Sequence, residues 1–279
     1  IEFLPVDVEE AADQLIVAKW IMRMLSFQYG ITISFGPKIT VGKAGSGMHV
    51  HMMMEKDGKS VMVKDNRLSD EAKKLIAGLV DLADSLTAFG NSVPTSYLRL
   101  VPHQEAPTNI CWGDRNRSVL IRVPLGWIGA GDMVRDANPM EPKEDKDYSS
   151  KQTVELRSPD GSADIYMLLA GIVVAARHGF ELPNALEIAE KTYVDVNIFK
   201  EECKDRLQCL KSLPFCCEDS ATALIDKRST FEEHGVFPAG TIDNIAKYLR
   251  AFGDKGLSEK LFGKQDEIRK LVDTYLHWK

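Results

Sequence analysis

The chain has 279 residues, 44% of them hydrophobic, which is enough apolar material for a sizeable core in one domain or two. Its 41 acids against 35 bases give a formal net charge of −6, which argues against a general nucleic-acid binder and a polybasic membrane module. No apolar run is long enough to cross a bilayer and no signal-peptide pattern opens the chain, so a soluble, cytoplasmic protein is expected, with locally placed arginines meeting any anionic ligand.

Ile1-Glu2-Phe3-Leu4-Pro5 reads as a strand already under way. Asp7 followed by Glu10 resembles a capping box, and Leu15, Ile16, Trp20, Met24 and Phe27 recur at helical spacing up to Gly30, predicting a core-facing helix. Ile31 to Phe35 alternates as a strand. Gly45-Ser46-Gly47 then frees the backbone for unusual conformations and close approach, and leads into the alternating segment Met48 to Met54. On a strand, His49 and His51 share one face, while Met48, Val50, Met52 and Met54 turn to a core. Asp57-Gly58 reads as a hairpin turn, with Val61 to Val63 returning beside the histidine strand. Ser69 starts a second long helix, with Leu75, Leu79, Leu82 and Leu86 on its face and Gly90 at its end.

From Asn91 to Pro107 periodicity is lost, and Arg99, His103, Gln104 and Glu105 cluster among prolines, a loop suited to function. Arg115, Arg117 and Arg122 read as arginines of one strand. By parity Arg115 and Arg117 share a face and Arg122 does not, so the strand must twist or bulge for Arg117 and Arg122 to reach one ligand. Planar forked donors are what a transferring phosphoryl group requires. Gly129 to Ser150 is charged, Pro-containing and nearly free of core residues, so an exposed loop is expected. Glu155 and Arg157 project to one face of a short strand, Ser162 to Gly179 reads as a buried helix, and the rest is mostly helical, with starts near Pro183, Ser220, Thr241 and Ser258. His178, His234 and His277 read as structural. Five cysteines, an odd number without paired spacing, read as reduced thiols.

Gly45 to His51, Glu105-Ala106-Pro107, Arg115 to Ser118, Ile121 to Pro124 and Val154 to Asp160 together resemble the signature segments of glutamine synthetase, in the same order and at similar separations, from the first residue to about Gly179. The resemblance implies an α+β fold: an antiparallel sheet with a concave active-site face and helices on its outer face. It implies that residues 1–279 are the catalytic domain, 1–179 holding the active-site sheet and helices and 180–279 a mostly helical part, with the family's N-terminal β-domain absent and the chain a fragment inactive on its own. The implied reaction ligates ammonia to glutamate with ATP through a γ-glutamyl phosphate. Implied metal ligands for Mg²⁺ or Mn²⁺ are His49 and Glu155; implied ATP contacts are His51, Arg117 and Arg122. Gly45, Arg99, Glu105 and Arg157 are implied to hold glutamate, and Glu105 and Arg117 to act in catalysis. A dodecamer-type homo-oligomer is implied for the intact parent, with no nucleic-acid or membrane partner.

Three positions depart from the family pattern: Ala44 stands where an Asn is usual, Met53 where a Ser is, and Thr153 where an Arg is, while Lys151 lies near the place of a family lysine. Two other readings compete, a γ-glutamyl ligase for another amine and a non-catalytic relative. Retention of His49, Glu105, Arg117, Arg122, Glu155 and Arg157 together favours catalysis.

Overall fold

The computed structural model describes residues 1–102, 104–124, 135, 137–142, 149–195 and 209–277. His103 and most of the loop expected over 129–150 lie outside the described residues. In chain order the strands are β1 (Val50–Met52), β2 (Glu55–Lys56), β3 (Lys59–Ser60), β4 (Val63–Lys64), β5 (Arg67–Leu68), β6 (Trp112–Asp114), β7 (Ile121–Val123) and β8 (Val154–Leu156). The main sheet runs β1-β8-β7-β6. Its β1/β8 and β7/β8 ladders are antiparallel, as expected, while β6 and β7 pair in parallel. The Asp57-Gly58 turn is present, both residues having positive φ (53° and 71°), as a tight hairpin requires. It joins β2 to β3, however, and Val63 pairs instead with Leu68 in a second hairpin around Asp65-Asn66.

The helices that frame the sheet are α1 (Val8–Tyr29), α2 (Asp70–Asp81), α3 (Ala83–Gly90), α4 (Pro94–Arg99) and α5 (Ile165–Glu181). Ser69 caps α2 as expected, its hydroxyl accepting from the Ala72 amide at 3.0 Å. The single helix expected from Ser69 to Gly90 is broken at Leu82 (φ −102°, ψ 7°) into α2 and α3. α2 and α5 cross where Gly78 meets Gly179: a Cβ on Gly78 would run into the Ala175 carbonyl, and one on Gly179 into the Lys74 carbonyl. Val154, Leu156, Ile121 and Val123 turn the outer face of the sheet into the same core as Leu79, Leu86 and Leu168. Phe89 of α3 joins that core to the C-terminal part by packing on Phe231 and Phe237, with ring centroids 5.4 and 5.2 Å away. The C-terminal part is helical as expected, with helices starting at Ala185, Cys217, Ala239 and Leu257, each a few residues from the anticipated position. The architecture is α+β, and no single described helix is long and apolar enough to cross a membrane.

α1 departs from expectation. Gly30 ends it in the left-handed conformation (φ 62°), as predicted, yet Asp7 makes no side-chain cap bond, and Ala12 is its one buried residue. Trp20 is 62% and Phe27 88% exposed. Besides the packing of Ala11, Ala12 and Leu15, polar and cationic contacts hold α1: Tyr166 donates to Asp13 (2.6 Å), and Lys19 donates to the Gly161 carbonyl (3.0 Å) and lies over the Phe35 ring. The helical repeat establishes an apolar side, of which Ala11, Ala12 and Leu15 pack against the core, while Trp20, Met24 and Phe27 stay exposed among the described residues. Residues 1–5 and 31–35 are likewise not strands, having no ladder partner among the described residues.

Candidate active site

Strand register builds the site. His51 stands opposite Glu155 across β1/β8, and Arg122 stands opposite Glu155 across β7/β8. Directly opposed residues of an antiparallel pair project to one face, so His51, Glu155 and Arg122 form a row on the face away from the core. His49 and Arg157, two residues along their respective chains, fall on the same side. Glu155 becomes the hub: its Oε1 lies 2.8 Å from His49 Nδ1, 3.9 Å from His51 Nε2 and 3.8 Å from Arg157 Nε, and its Oε2 lies 2.5 Å from Arg122 Nε. The Glu155 side chain is 1% exposed, whereas those of His49 and His51 are 36% and 42% exposed, so the imidazoles face the opening.

One carboxylate among two guanidinium and two imidazole groups fixes the electrostatics. Burial pushes the Glu155 carboxyl up, but the His49 hydrogen bond and the Arg122 charge outweigh it and hold it below the ordinary value. Burial lowers His51, with Glu155 working against it. Burial also lowers Arg157, again opposed by Glu155. The cationic excess suits a polyanionic ligand. Thr153, the position where an arginine is usual, lies 3.3 Å from His51 Nδ1. Beside β1, a cavity of about 430 Å³ is lined by Met53, Lys59, Ser60 and Lys151, bringing two of the noted positions together.

The glycines serve close approach, and neither Gly45 nor Gly47 has a positive φ. A Cβ on Gly45 would sit 2.8 Å from Arg99 Cγ, and one on Gly47 2.8 Å from His49 Nε2 as well as against the Arg99 guanidinium. The segment is pinned by the Ser46 amide on the Pro37 carbonyl (2.9 Å) and the Met48 amide on the Pro159 carbonyl (2.8 Å). Arg99, 2% exposed, sits beneath it and donates to the carbonyls of Ser158 (2.7 Å) and Arg157 (3.0 Å). Asp160, fully buried, is satisfied by Asn91 (2.8 Å) and by the Ser162 amide and hydroxyl (2.9 and 2.6 Å).

Glu105 is exposed and takes φ 63°, an uncommon conformation for a residue with a side chain. Its carbonyl accepts from Arg157 Nη2 at 3.1 Å, while Arg157 Nη1 donates to the carbonyls of Val119 (3.1 Å) and Arg117. Arg157 thus ties the acid loop and the arginine loop to the sheet. Arg115 and Arg117 are not on a strand: β6 ends at Asp114, Arg115 turns the chain with φ 55°, and β7 begins at Ile121. Parity cannot be carried across that loop, so the expected twist within one strand is replaced by two strands. Arg117 is exposed at the loop. Sequence reasoning passes over Lys38, which is 2% exposed and donates to the Lys43 carbonyl (2.5 Å) and to Gln104 Oε1. Its signal is only a lysine placed just ahead of the glycine segment.

His49 nitrogen and Glu155 oxygen converge at 2.8 Å, and both Glu155 oxygens are buried. That donor pair fits part of a divalent-cation site. No group of three His, Cys, Asp or Glu able to hold a metal occurs among the described residues, so His49 and Glu155 account for only part of such a site.

Residues 1–251 match the family model described as glutamine synthetase, catalytic domain. The chain is 33% identical over 206 residues to the glutamine synthetase of Thermococcus kodakarensis and 34% identical over 206 residues to that of Pyrococcus horikoshii. Each alignment covers 74% of this chain but 41% of the relative, so the chain spans less than half the length of these curated relatives. Among solved structures, the Plasmodium falciparum glutamine synthetase superposes with a TM-score of 0.68 at 22% identity, covering 90% of this chain and 52% of that one, a likeness of fold.

Proposed function

The chain belongs to the glutamine synthetase family, and on that premise we propose that it carries the residues that ligate ammonia to glutamate at the expense of ATP. The observation that supports this most is the buried Glu155 ringed by His49, His51, Arg122 and Arg157 on one open face. In the proposed reaction the glutamate side-chain carboxylate attacks the terminal phosphorus of ATP, ADP leaves, and ammonia displaces phosphate from the γ-glutamyl phosphate. His49 and Glu155 would hold Mg²⁺ or Mn²⁺, which would supply positive charge to offset that of the two anionic reactants. Arg117, Arg122 and His51 bind phosphate oxygens; the guanidinium groups take up charge spread over the equatorial oxygens. Gly45, Arg99 and Arg157 form the glutamate side of the cleft, Gly45 by bringing backbone close and Arg99 by bracing it from below. In this reading Glu105 covers glutamate and receives a proton from the attacking ammonia. Exclusion of water by that loop protects the acyl phosphate. A homo-oligomer working in the cytoplasm belongs to the same proposal.

The test is ATP-dependent product formation with ammonia and, separately, methylamine. Glutamine and phosphate formed in equal amounts, with methylamine a poor substitute, support the proposal; preferred use of methylamine makes the protein a γ-glutamyl ligase for another amine. Nucleotide binding without turnover under any amine, in a protein extended to the length of its relatives, overturns both.

A further inference from the structure

Lys38 is among the largest fully buried side chains, and no carboxylate lies within ion-pair distance of it among the described residues. Burying an ammonium without a counter-charge is costly, so something must hold it there. Its neighbours make the cost higher: burial lowers its pKa, and the nearby Arg99 guanidinium lowers it further. What Lys38 has instead is two oxygen acceptors from two different walls of the site. One is the carbonyl of Lys43, two residues before Gly45; the other is Oε1 of Gln104, the residue preceding Glu105. The first wall is fixed to the body by Ser46 and Met48. The second is a loop whose acid carries a strained φ and whose backbone is held at Glu105 by Arg157. An ammonium donates in three directions and tolerates a crowded position, which suits a joint between two backbones better than a planar fork does.

We propose that Lys38 is a positioning residue, a clasp that sets the Glu105 loop against the glycine segment by joining Gln104 to the Lys43 carbonyl. It touches no reacting atom and acts through Glu105. Removing it leaves the Lys43 carbonyl and the Gln104 amide oxygen without their donor, and frees the loop on one side. A merely space-filling lysine, or one that only adds positive charge to the cleft, has no need of Gln104.

Hydrogen exchange on the ligand-free protein separates these possibilities without relying on the proposed reaction. In Lys38→Met and in Gln104→Leu, amides 104–106 are expected to exchange about tenfold faster, with β8 unchanged. The double variant is expected to match either single one, because one joint is broken in all three. Lys38→Arg is expected to restore part of the protection. Where turnover is measurable, both single variants are expected to raise KM for glutamate while leaving ADP affinity unaltered. Unchanged exchange in Gln104→Leu, or additive effects in the double variant, overturns the clasp. Faster exchange without any glutamate-dependent turnover, in a protein extended to the length of its relatives, leaves the clasp standing and tells against the proposed reaction instead.

Discussion

His49 Nδ1 lies 2.8 Å from Glu155 Oε1, although His49 immediately precedes β1 and Glu155 lies on β8, far apart in sequence. Register explains it: β1 and β8 pair so that His51 opposes Glu155, which brings His49 one step along the same face. Glu155 therefore serves both as counter-ion to Arg122 and Arg157 and as the partner of His49 in the proposed cation site.

Glu155→Gln tests both duties. The amide keeps the shape but leaves two buried or half-buried guanidinium groups uncompensated, so a loss of about 3–5 kcal/mol is expected in chemical denaturation. Mn²⁺ affinity measured by EPR in the presence of ADP is expected to fall at least tenfold. Unchanged stability would mean that Arg122 and Arg157 find other partners.

Gly47→Ala places a methyl group against His49 and Arg99. The neighbours are side chains and give way, so the cost should be about 1–3 kcal/mol rather than unfolding. Displaced His49 should weaken Mn²⁺ binding in the same EPR titration. Gly42→Ala is the control for a glycine with nothing near its Cβ; there only the strain of φ 81° should register, with metal affinity intact.

Asp81 joins α2 to His178 of α5 and to Lys227, each at 2.9 Å. Burial raises its carboxyl, but the Lys227 and His178 hydrogen bonds outweigh that and leave it below its ordinary 3.8. A folded-state value below the unfolded one stabilises above the unfolded value and is lost as pH falls through the folded one. Asp81→Asn is therefore expected to cost roughly 1–2 kcal/mol at neutral pH. In urea melts the gap to the wild type should close in acid below 3.8. A gap independent of pH would assign the loss to packing.

Trp20→Ala and Leu86→Ala test the uncovered face of α1. Trp20 is 62% exposed and should cost within about 0.5 kcal/mol; Leu86, 2% exposed, should cost about 2–5 kcal/mol. A large loss at Trp20 in a thermal melt of the monomer would mean that its side of the helix is covered.

Residues whose reasons are local were legible in the sequence. Alternation put His49 and His51 on one side and Glu155 and Arg157 on one side; Ser69 capped its helix, Gly30 ended one, and Asp57-Gly58 made its turn. The resemblance of five short segments supplied the family and the α+β fold. Tertiary structure alone decided what depends on a partner. The apolar repeat of α1 states that the helix is amphipathic, but burial needs a second surface, and among the described residues Trp20 and Phe27 stay 62% and 88% exposed. Ile31 to Phe35 alternates like a strand, yet a strand exists only where another backbone accepts its hydrogen bonds. Arg115 and Arg117 look strand-borne until the turn at Arg115 ends the ladder. Lys38 carries no periodic signal at all, because its burial is fixed by two acceptors brought in from Lys43 and Gln104, and only the folded chain brings those together.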